Sequence, residues 1–154
     1  MLSSNQQLQG ASTTLSSSGT SASRSLLLVD DEATLRTALR RFFMRRGWKV
    51  TEAEDGEHAR GMILDGGVNR EHFDVVLTDM RMPRLSGIEL HVLVEQADAA
   101  LARRFIFSSG DTGDDQAIAF IERSGCPVIP KPFELAALLA LVERVADTPS
   151  TPDR

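Results

Sequence analysis

Phe73-Asp74-Val75-Val76-Leu77-Thr78-Asp79-Met80-Arg81-Met82-Pro83 is the stretch that decides the fold. A near-continuous apolar run ends in a carboxylate, and a proline follows shortly after. A run that is apolar at alternate positions on both sides leaves no face for water. It predicts a strand covered on both faces, in a central position of a parallel sheet. The same device recurs three times. Leu26-Leu27-Leu28-Val29 is followed by Asp30-Asp31, Phe105-Ile106-Phe107-Ser108 by Ser109-Gly110, and Pro127-Val128-Ile129-Pro130 by Lys131-Pro132-Phe133. A parallel sheet lines its strand C-termini along one edge, so these polar groups are expected to converge there.

Working outward, helical patterns separate the strands. The expected strands are 26–29, 48–53, 73–78, 105–108 and 128–130. The expected helices are 32–46, 56–64, 87–96, 114–123 and 134–146, with Gly47 stopping the first. Five βα units in a row imply an α/β fold. It is a doubly wound, five-stranded parallel sheet with right-handed crossovers and five helices covering both faces. Residues 1–24 are mostly Ser, Thr, Gln, Gly and Ala, which bury too little apolar surface to offset ordering, and they read as a disordered leader. Residues 25–146 form the domain, and 147–154 read as a short tail.

Bulk properties narrow the function. The net charge is −5 and no stretch is strongly basic, which argues against nucleic acid as a direct partner. The arginines at 40, 41, 45 and 46 read as a basic helix face, with a nucleic-acid surface as the second reading. The single Cys126 excludes an internal disulfide and reads as a buried small hydrophobe. No secretory signal is visible, and the longest apolar run, Leu135 to Val142, is far too short to span a bilayer. A cytoplasmic protein with no membrane partner is expected. His58, His72 and His91 lack metal-ligand spacing and read as surface or loop residues.

Each polar group has a bland reading on its own. Asp30-Asp31 would cap the helix that follows, Asp79 would be a loop aspartate, Ser109-Gly110 a turn, and Lys131-Pro132 surface. Their joint placement at strand ends carries the inference. Three carboxylates, a hydroxyl and a lysine in one crevice suit a divalent cation and a phosphoryl group. The cation offsets repulsion between a carboxylate nucleophile and an anionic phosphoryl group, and fixed donors meet the charge spread over its oxygens.

Residues 26 to about 146 resemble a response-regulator receiver domain of two-component signalling. The resemblance rests on Asp30-Asp31, on Thr78-Asp79-Met80-Arg81-Met82-Pro83 with Gly87, on Ser109-Gly110 and on Lys131-Pro132-Phe133. It implies a flavodoxin-like strand order 2-1-3-4-5. It further implies Asp79 as phosphoacceptor and Asp31 as a direct Mg2+ ligand, with Asp30 binding mainly through water. The Arg81 main-chain carbonyl would be another ligand. Lys131 would pair with the phosphoryl group, Ser109 would swing toward it, and Pro83 and Gly87 would shape the loop. The implied partners are a histidine kinase or histidine phosphotransfer protein and a downstream protein target.

Three departures from the family pattern stand out. Val128 occupies the place where many receivers carry a switching Tyr or Phe. The excess length between Asp30 and Asp79 falls at 65–72. No effector domain follows Ala146, so no direct transcriptional output is expected, and Met1 favours a separate chain. A phosphate sink or hybrid-kinase-associated receiver is the alternative role. A haloacid-dehalogenase-type phosphatase needs a second Asp two residues after its nucleophile, where this chain has Arg81. A pseudo-receiver scaffold would have lost part of the acidic pocket or the lysine. Arg81 and Asp111 are expected to pair above the phosphoryl group and slow its hydrolysis.

Overall fold

Strand β1, Ser25–Val29, is buried at every position. Its alternate side chains enter two separate cores, Leu27 and Val29 on one side of the sheet and Leu26 and Leu28 on the other. The computed structural model describes residues 23–65, 72–110 and 115–149. Most of the 65–72 excess and Asp111, with its expected pairing to Arg81, lie outside those residues, as does nearly all of the 1–24 leader.

The remaining strands are β2 (Lys49–Ala53), β3 (Val75–Asp79), β4 (Phe105–Ser109) and β5 (Val128–Pro130). All pairings are parallel, in the order β2-β1-β3-β4-β5. β3 is therefore central, as its apolar run requires. Helices α1 (Ala33–Met44) and α6 (Leu135–Ala146) cover one face. Helices α2 (Gly56–Leu64), α3 (Gly87–Ala97), α4 (Ala99–Ala102) and α5 (Asp115–Ser124) cover the other.

The helices follow their apolar spacing. Leu39 and Phe43, four residues apart on α1, are buried. Phe43 meets Trp48 edge-on at 5.9 Å. Leu138, Val142 and Val145 do the same for α6. Fully burying one such side chain contributes roughly 1.5–3 kcal/mol, so each helix is held mainly by its stripe. On α1, Arg36 and Arg40 pair with Glu52, and just past its end Arg46 lies over the Phe42 ring at 3.8 Å.

Four expectations are corrected. The fold has a sixth helix, the single turn α4, which Asp98 starts by accepting the Leu101 N–H at 3.1 Å. One turn is too short to show a period in sequence. β3 starts at Val75, because Asp74 turns its side chain to the Ser25 N–H at 2.8 Å. β3 and β4 run one residue further, so Asp79 and Ser109 end their strands. His91 is buried, at 3% exposure, whereas His58 and His72 are exposed. Cys126 is buried as expected. No helix among the described residues is long and apolar enough to cross a membrane.

Candidate functional site

The register of the sheet brings the strand ends level. Val29 pairs with Thr78, Asp79 with Ser108, and Ser109 with Pro130. Asp30, Asp79, Ser109 and Lys131 therefore leave the sheet along one edge. Asp30 is buried, with 6% exposure. Its Oδ1 accepts the Glu32 N–H at 2.9 Å and its main-chain oxygen accepts from Arg36 Nη1 at 2.6 Å. The expected helix cap is not formed, since Glu32 is the N-cap of α1 and no side chain caps that helix. The Asp30 contact is a local turn ahead of α1 and occupies only one carboxylate oxygen.

The other oxygen faces the crevice. Lys131 Nζ donates to Asp30 Oδ2 at 2.9 Å and to Asp79 Oδ2 at 3.1 Å. Burial pushes the Asp79 carboxyl above its ordinary range, and the nearby Asp30 charge adds to this, against the opposing pull of Lys131. Burial alone would lower the Lys131 ammonium, but hydrogen bonds and charge from Asp30 and Asp79 outweigh it and hold it up. Asp79 Oδ1 accepts the Arg81 N–H at 3.3 Å.

Carboxylate oxygens of Asp30, Asp31 and Asp79 lie within 4.8 Å of one another. An oxygen-only donor set of this kind suits a hard divalent cation, whose opposite ligands stand about 4.2 Å apart when each bond is 2.0–2.1 Å. Asp31 is exposed and gives the cluster its open side. The acidic pocket therefore fits such an ion. The Ser109 residue is buried, and its carbonyl accepts the Lys131 N–H at 2.8 Å, tying β4 to the lysine.

The loop after Asp79 is set by close backbone packing. A Cβ on Gly87 would lie 2.1 Å from the Asp79 carbonyl oxygen and 3.0 Å from Thr78 Oγ1. Gly87 N donates to Met80 O at 3.0 Å. Only a glycine admits α3 this near the acceptor strand.

Residues 26–143 match the response regulator receiver domain. The chain belongs to that family. The receiver domain is 37% identical over 113 residues to the transcriptional activator protein PfeR of Pseudomonas aeruginosa, covering 73% of this chain and 34% of that protein. It is 30% identical over 128 residues to the response regulator MprA of Mycolicibacterium vanbaalenii, covering 83% of this chain and 52% of that one. The chain thus spans a third to a half of these two curated relatives. A crystal structure of a response regulator receiver protein from Pseudomonas putida superposes with a TM-score of 0.69 at 31% identity, covering 80% of this chain and 98% of that one. The receiver domain is a two-component signalling module, a class in which phosphorylation on aspartate is typical.

Sequence reasoning missed the support around the receiver's acidic pocket. Arg36 ties the Asp30 carbonyl to α1 and Glu52, yet in sequence it is an ordinary charged position on an amphipathic helix. Thr78, wholly buried, bonds the Asp79 carbonyl at 3.0 Å. Its place in an apolar run was the available signal.

Proposed function

We propose that this receiver domain accepts a phosphoryl group on Asp79 from a phosphohistidine of a histidine kinase or histidine phosphotransfer protein, with Mg2+ as cofactor. One observation carries the reading. Asp79 ends the central strand with Lys131 Nζ 3.1 Å away and the carboxylates of Asp30 and Asp31 alongside. An Asp79 carboxylate oxygen attacks phosphorus. The P–O bond forms as the P–N bond to imidazole breaks, and imidazole leaves with that electron pair and takes a proton from solvent. The product is an aspartyl phosphate.

Asp31, Asp79 and the Arg81 carbonyl are the direct Mg2+ ligands in this reading, and Asp30 acts mainly through water. Mg2+ supplies the positive charge that lets a carboxylate meet an anionic phosphoryl group. Lys131 pairs with one phosphoryl oxygen, and the Ser109 hydroxyl donates to another. Catalysis extends no further than self-phosphorylation and self-dephosphorylation. Output goes to a protein target, and no nucleic-acid contact is part of the reading. It implies a cytoplasmic protein. A free-standing regulator and a phosphate sink share this chemistry.

The test uses acetyl phosphate with Mg2+ and intact-mass detection. The native chain gains one phosphoryl group, and Asp79→Asn gains none. EDTA abolishes the gain. A stable label on the variant moves the nucleophile elsewhere, and labelling in EDTA contradicts the cation site.

A further inference from the structure

One contact outside the carboxylate cluster ties the acceptor's own loop to a different strand connection. Arg84, between β3 and α3, has φ 70°. That left-handed conformation crowds the Cβ of a non-glycine residue, and glycine would adopt it freely. The arginine brings a side chain that glycine lacks, and that side chain reaches Asp55. Nε stands 2.8 Å and Nη2 2.6 Å from Asp55 Oδ2.

Asp55 is a fixed anchor. It is buried, and its Oδ1 caps α2 by accepting the His58 N–H at 2.8 Å. That helix N–H and then Arg84 hold its carboxyl below the usual carboxylate range. Beside this pair the two backbones touch, since a Cβ on Gly56 would lie 2.1 Å from Leu85 O. At its other end the loop is held by Gly87 N on Met80 O. Between these fixed points lies Arg81, whose N–H bonds the Asp79 carboxylate.

We propose that Arg84 is a positioning residue of the acceptor site, its guanidinium on Asp55 holding the 81–86 loop so that Arg81 and Asp79 present their oxygens to one cation. The inference rests on the reading of Asp79 and Mg2+ above. Arg84 itself touches neither the cation nor the phosphoryl group. Its effect passes through the loop backbone, as it does for groups that orient metal ligands elsewhere.

Calorimetric Mg2+ titration of the full chain tests this, with acetyl phosphate labelling alongside. Arg84→Gly keeps a permitted φ and removes the latch. Asp55→Asn keeps the α2 cap, since asparagine caps as well as aspartate, and weakens the pairing. Each is expected to raise the Mg2+ Kd, with Arg84→Gly reaching about tenfold, the low end for groups that support metal ligands. The double variant should bind no more weakly than Arg84→Gly, because both act through one contact. Labelling should be slow at limiting Mg2+ and recover at saturating Mg2+. Arg84→Lys keeps the charge without the fork and should fall between. A lowered Tm with unchanged Mg2+ affinity in Arg84→Gly and Arg84→Lys would make the contact merely structural and overturn the proposal. A native chain that neither binds Mg2+ nor takes a phosphoryl group would overturn the underlying reading instead.

Discussion

Lys131 holds two carboxylates that repel each other. Its side chain is 20% exposed, and those of Asp30 and Asp79 are 8% and 15% exposed. Breaking a fully buried pair costs about 3–5 kcal/mol. Water reaches this crevice and screens it, so Lys131→Met should cost less, about 1–3 kcal/mol of metal-free stability by urea unfolding in EDTA. His91 is a residue of another kind. Its Nε2 faces the Ala102 carbonyl at 3.1 Å and Cys126 Sγ at 3.6 Å, among the rings of Phe105, Phe107 and Phe120. Its Nδ1 has no hydrogen-bond partner among the described residues. Burial lowers its pKa from 6.5, against smaller upward pulls from Ala102 O and Glu95. As pH falls below that value the unfolded chain binds the proton first, so stability falls. Above it both states are neutral and the contribution is complete. Urea midpoints measured from about pH 7 to about pH 5.5 should therefore drop, and His91→Gln should remove His91's share of the slope.

At the scale of elements, β3 and α3 meet with no room for a side chain. Gly87→Ala would set a methyl group 2.1 Å from the Asp79 carbonyl, which is backbone and has no rotamer to escape into. Overpacking of this kind costs about 1–3 kcal/mol. The expected result is a chain destabilised by that amount, with acceptor labelling slowed because α3 and β3 must part. A variant of native stability that labels at the native rate would show that α3 moves away cheaply. The start of α3 carries its own support, a capping box in which Ser86 and Glu89 bond reciprocally at 3.1 and 2.9 Å.

Across the whole molecule, the phosphorylation signal is expected to leave the pocket beside β4. Val128 is half-buried and pairs with Phe107. Valine is short and stiff, so it has little ring-like motion to transmit. Phe120 is buried on α5 together with Ala117 and meets Phe107 at 5.4 Å and His91 at 5.2 Å, while Ile118 faces solvent at 43% exposure. Beryllofluoride with Mg2+ should therefore give its largest amide shifts beyond the pocket at residues 109–123, with smaller ones at 126–130. A response centred on Val128 and α6, with 109–123 silent, would send the signal elsewhere.

The sequence by itself determined the alternation of strands and helices and the polar residues waiting at the strand ends. Both are local properties. An apolar run reports burial on two faces, and a carboxylate directly after it must emerge at the sheet edge. Arg84 and Asp55 lie 29 residues apart and read separately as a loop cation and a helix cap, so nothing local joins them. His91 sits on a helix apolar nearly all round, and whether it meets water depends on the α4 turn that offers its carbonyl. Lys131 bridges carboxylates 101 and 52 residues away. Only the tertiary structure decided these contacts, because their strength comes from distance and desolvation between parts of the chain that the fold alone brings together.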